Sequence, residues 1–160
     1  MPATTVKYLG IYLNDHLAGA TGGLELAKRA AAEHEGTELG AFLAQLRDEI
    51  AQDRQALERL MDQLGVAHNP AKQAVAWAAE KAGRLKLNGE VRGPSPLTPL
   101  VELESLSIGI EGKRLLWLAL REVRDLPLSG ERLDELVTRA EQQRAGLEPH
   151  RREAARNALN

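Results

Sequence analysis

Between residues 39 and 64, apolar side chains recur at steps of four and three: Leu39, Leu43, Leu46, Ile50, then Asp53, then Leu57, Leu60 and Leu64. Residues three and four apart share one face of an α-helix, so this spacing predicts a helix with a buried stripe that one carboxylate interrupts. An earlier segment repeats the pattern through Leu9, Leu13, Leu17, Ala20, Leu24, Ala27 and Ala31. Its glycines at 10, 19, 22 and 23 each cost roughly 1 kcal/mol against Ala in a helix, a cost expected where a second backbone passes close by. A later run is apolar nearly all round, from Leu100 to Leu120, and is expected to be the most buried helix.

Punctuation residues set the limits. Gly36 stops a first helix over about residues 5–34, and Thr37 caps a second over 37–64, ended by Gly65. Asn69 and Pro70 supply the cap and first turn of a shorter third helix over 70–87. "NGEVRGPSP", 88–96, reads as loop by its Gly and Pro content. A fourth helix begins at Thr98-Pro99 and runs to about 123; a fifth, capped by Ser129, covers 130–157, with a kink or break expected at Gly146 to Pro149. No stretch alternates as a strand would.

The fold class predicted is therefore all-α, in one domain over 1–160. Three of the long segments come to about 40–45 Å at the usual helical rise. Short turns make the first two helices antiparallel, and likewise the last two. The crossover, 65–96, is long enough to carry the chain back along the bundle, and one long crossover between two hairpins is the arrangement of ferritin-like four-helix bundles.

Composition narrows the role. With 21 Lys+Arg against 23 Asp+Glu, the net charge is −2, which gives no electrostatic case for nucleic acid. The chain has no cysteine, so disulfides and thiolate metal sites are excluded. "LLWLAL", 115–120, is the longest strongly apolar stretch, too short for a membrane span, and no targeting signal is legible; a cytoplasmic protein is expected.

On helix lengths and order, and on "WAAEKAGRLKLNG", "SPL" and "VELESLSIGIEGKRLLW", the chain resembles the ferritin-like superfamily, in particular bacterial members without an assigned activity. Such a resemblance implies a di-iron centre built from one Glu on each of two helices and Glu-x-x-His on each of the others. The pattern is missing: three residues before His16, His34, His68 and His150 stand Leu13, Ala31, Gly65 and Leu147. Iron chemistry is not carried over.

Charges nevertheless interrupt the stripes. On the fourth segment, Val101, Glu104, Ile108, Glu111, Leu115 and Leu118 align, and on the fifth Leu133, Val137, Ala140, Arg144, Leu147, Arg151 and Ala154. Buried carboxylates need a cationic partner or a metal, and two arrangements satisfy them. In the first, Asp53, Glu104 and Glu111 form a buried charge network with Arg144 and Arg151, pair with Lys113 or Arg114, or reach solvent at the edge of the stripe. In the second, His16, Glu49, Gln52, Asp53 and Glu104 hold iron or another divalent metal. Competing arginines favour the first, so no cofactor is expected.

The function expected is a non-enzymatic interaction or scaffold protein that binds a protein partner or itself, a dimer included; the alternative is a metal-binding oxidase or metal-handling protein. Trp77 is expected to pack on the bundle or to help form a dimer surface. A ligand cavity beside Gly19, Gly22 and Gly23 is a further candidate.

Overall fold

The computed structural model describes residues 3–75 and 95–160. Four long helices form a bundle: α1 (Ala3–Glu33), α2 (Glu38–Gln63), α3 (Leu97–Arg121) and α4 (Gly130–Leu159). A helical stretch also opens at 70–75, where the third segment was expected to begin. The rest of that segment, Trp77 and "GEVRG" included, lies outside the described residues.

The local signals act as the sequence predicts. Thr37 accepts a hydrogen bond from the Gly40 backbone N–H at 3.0 Å and Ser129 accepts from that of Arg132 at 3.2 Å, each satisfying a donor the helix start leaves unpaired. Gly36 and Gly65 take φ of 81° and 66°, the left-handed conformation that ends a helix and that glycine adopts without strain.

Two apolar clusters give the direction of each helix. One joins Leu24, Ala27 and Ala31 from late α1 to Leu43 and Leu46 from early α2, Leu100 and Leu103 from early α3, and Leu147 and Ala154 from late α4. The other joins Leu13 and Leu17 of early α1 to Leu57 and Leu60 of late α2, Trp117 and Leu120 of late α3, and Leu133 and Leu136 of early α4. The helices thus run up, down, down, up. α1 packs chiefly on α2, and α3 on α4; α1 also touches α3 and α2 touches α4, which leaves α2 and α3 on one diagonal. The chain leaves α2 at one end of the bundle and enters α3 at the other. Its return begins along α1: Asn69 N–H donates to Asn14 Oδ1 at 2.7 Å, Lys72 Nζ lies 2.6 Å from Asp15 Oδ1, and Thr21 donates to Gln73 at 3.4 Å.

Two expectations need correction. Of the kink or break expected at Gly146 to Pro149, the break is absent: α4 is one helix through Pro149. Pro149 and Ala145, whose carbonyl loses its usual donor, are both exposed, so water satisfies that carbonyl and the helix continues. Nor does α3 stand out as the most buried helix: it buries eight residues, as α2 does, and Ile108 is 74% and Leu115 51% exposed.

Candidate functional site

Where the two clusters meet, a belt of polar side chains crosses the bundle. Asp53, from the α2 stripe, is 2% exposed. Lys113 Nζ lies 2.5 Å from its Oδ2 and also donates to Gln143 Oε1 at 2.6 Å. Arg139 Nη1 donates to Asp53 Oδ1 at 3.0 Å and to Gln52 Oε1 at 3.3 Å. The Gln143 amide donates to Glu49 Oε2 at 3.0 Å and to Asp53 Oδ2 at 3.3 Å. Both oxygens of the buried carboxylate therefore face cations.

Register explains the meeting. α2 and α3 start at the same end and run in the same direction; Asp53 lies fifteen residues after Glu38 and Lys113 sixteen after Leu97. The two are level, and the long lysine stem spans the diagonal. Burial pushes the Lys113 ammonium below the ordinary lysine range, with Asp53 opposing.

A second buried pair closes one end of the bundle. Arg29 of α1 reaches Glu102 of α3 with Nη2 at 3.0 Å and Nε at 3.3 Å from Oε1. Glu102 is 7% exposed, and burial raises its carboxyl above the ordinary range despite the guanidinium.

Of the five residues expected to form a buried network, Asp53 alone is buried. Glu104 is exposed and 3.4 Å from Arg151, which also binds Glu148 at 2.7 Å. Glu111 meets Arg144 at 2.6 Å and Arg114 at 2.9 Å near the surface. The inward face of α3 lies two positions along from the expected stripe, nearly the opposite side of the helix, through Leu103, Leu106, Ile110, Lys113, Trp117 and Leu120. On α4, Gln143 takes the buried place assigned to Arg144. Lys113 was among the partners anticipated; Arg139, Gln143, Glu102 and Arg29 were missed. A signal for Lys113 existed, a lone lysine on an apolar stripe at the same depth as the lone aspartate of α2.

The alternative metal set does not assemble. Glu104 points to solvent, Gln52 and Glu49 hold Arg139 and Gln143, and His16 stacks edge-on against Tyr12 at 4.6 Å between ring centroids. Among the described residues, no three His, Asp or Glu side chains converge as a metal would require. The donor chemistry argues likewise, since the oxygens at the centre already bind an ammonium and a guanidinium.

Beside the belt, on the α1 side, lies a cavity of about 210 Å³ between α1, α2 and α3. Gly19 and Gly23 form part of one wall and Gly109 and Gly112 part of another; a Cβ at any of them would meet nothing within 4 Å among the described residues. The expectation that a second backbone crowds the α1 glycines is corrected at 19 and 23, which border open space. At Gly10 the neighbour is the Val66 side chain, 3.4 Å from a Cβ.

Comparison with protein families, with curated proteins and with solved structures gives no match. Among the described residues, no helix is long and apolar enough to cross a membrane.

Proposed function

We propose that this chain is a bundle of ferritin-like topology that performs no metal chemistry, and that it serves as an interaction or scaffold protein. One observation carries the first half: the ammonium of Lys113, bound by Asp53 and Gln143, stands at the centre of the bundle where a ferritin-like protein holds its ions. The up, down, down, up order supports the topology. In this reading a side-chain cation replaces a bound one, and the bundle keeps its shape without a cofactor.

Exposed apolar side chains support the second half. Tyr8 and Ile11 on α1 are 65% and 47% exposed, and Ile108 and Leu115 project from α3, the helix beside it. Large apolar side chains left exposed on neighbouring helices are available to a partner. Self-association through these side chains is the partner the reading favours.

Metal content and mass in solution, measured on one sample, test both halves. After incubation with ferrous, manganous and zinc salts, the protein retains no stoichiometric metal. Its mass exceeds the 17.5 kDa of one chain and falls to it in an Ile108→Glu, Leu115→Glu variant. Stoichiometric metal that Asp53→Ala abolishes would replace this reading with a metal-handling one.

A further inference from the structure

The cavity beside the belt is built unlike a packing fault. Apolar walls come from Leu57, Leu106 and Leu116, while four glycines on two facing helices keep side chains out of the space. Helix interiors select against glycine, so four at one cavity hold open a volume that alanine would begin to fill.

A second observation is independent of the glycines. Trp117 lines this cavity, is 1% exposed, and its indole Nε1–H has no hydrogen-bond partner among the described residues. Buried indole N–H groups ordinarily find an acceptor, and leaving one unpaired is costly. Lys113, on the same wall, uses two of its three ammonium hydrogens on Asp53 and Gln143. The cavity thus offers donors in a largely apolar setting, while the carboxylates on its lining, Asp15 and Asp53, are already engaged by Lys72 and by Lys113 and Arg139.

We infer that this cavity binds a small, neutral, largely apolar molecule carrying one hydrogen-bond acceptor, of the class of one-ring aromatic carbonyl compounds. Size fits the class: an enclosed cavity of about 150 Å³ accommodates benzene, and this one is modestly larger and opens to solvent beside the exposed Gly19 and Gly109. Neutrality follows from the walls. Asp53 and Glu49 together balance Lys113 and Arg139, Arg54 pairs with Glu58 at 2.9 Å, and Asp15 pairs with Lys72. A charged ligand would meet no unbalanced counter-charge there. The acceptor takes the hydrogen of Trp117 Nε1 and the ring fills the volume between the glycines.

Isothermal titration calorimetry with acetophenone, ethylbenzene and benzoate tests this, and the inference does not rest on the absence of metal, which is measured separately. Acetophenone binds saturably and more tightly than either of the others. Trp117→Phe weakens acetophenone by about tenfold and leaves ethylbenzene unchanged, as loss of one neutral hydrogen bond requires. Gly112→Leu fills the cavity and abolishes binding while its melting temperature stays at or above that of the wild type. Gly23→Leu, on the opposite wall, serves the same purpose should the first variant fail to fold. No saturable heat with acetophenone would mean that the cavity holds solvent only, and would overturn the inference. So would undiminished binding in a folded Gly112→Leu or Gly23→Leu protein, or equal affinity for acetophenone and ethylbenzene.

Discussion

Lys113 Nζ and Asp53 Oδ2 meet at 2.5 Å across the diagonal of the bundle, between helices with no backbone contact of their own. A buried pair of this kind adds little net stability, because desolvating both ions offsets their attraction. Losing one member is another matter. Asp53→Ala leaves an ammonium and a guanidinium without the carboxylate between them and is expected to cost about 3–5 kcal/mol in urea unfolding. The Asp53→Leu, Lys113→Met double variant recovers most of that loss, and a cycle over the four proteins measures the coupling.

The second buried pair makes stability depend on pH. Burial raises the Glu102 carboxyl, so between its unfolded and folded values the native chain binds more protons than the unfolded one. Stability from this group is therefore greatest below the ordinary carboxylate range and falls as pH rises through the folded value. His16 acts in the opposite sense. Burial lowers its imidazolium, with Asp15 opposing, so stability is lost as pH falls from the ordinary histidine range through the folded value. Urea midpoints followed across pH flatten in the acid limb for Glu102→Gln, and the step nearer neutrality disappears for His16→Gln.

Surface pairs contrast with these. Glu104 with Arg151, and Glu111 with Arg144, link α3 to α4 where water screens them. Glu104→Ala and Glu111→Ala each shift the unfolding midpoint far less than Asp53→Ala does, and the shift vanishes in molar salt, where charges are screened within about 3 Å.

Two glycines predict opposite outcomes for one substitution. A Cβ at Gly40 would overlap the His34 carbonyl oxygen, with its carbon 2.6 Å away, in the turn between α1 and α2. Gly40→Ala therefore costs about 1–3 kcal/mol, as overpacking does. Gly19 has nothing within 4 Å among the described residues, and Gly19→Ala gains about 0.5–1 kcal/mol from helix propensity. Thermal unfolding of the two variants reads both signs.

These positions mark what the sequence discloses. On α2 the apolar residues fall on one stripe, and Leu43, Leu46, Ile50, Asp53, Leu57 and Leu60 are all buried, as spacing alone predicts. On α3, leucine and isoleucine surround the helix, so periodicity fits two faces equally well; neighbouring helices decide that Lys113 points in and Glu104 out. The same ambiguity hid Glu102 and, through the rotation of α4, Gln143. Pairing across a diagonal is a property of four helices together, and no single stripe encodes it. The α1 glycines were visible as an anomaly, but whether they admit a backbone or a cavity depends on what α3 presents to them, namely Gly109 and Gly112.

Crystals grown with manganous salt in excess give the most direct test of an ammonium standing in for a metal ion, through anomalous scattering at Asp53. The account predicts no anomalous peak within bonding distance of that carboxylate, with Lys113 and Arg139 both hydrogen-bonded to it. A manganese peak coordinated by Asp53, with those two side chains turned to solvent, would contradict it.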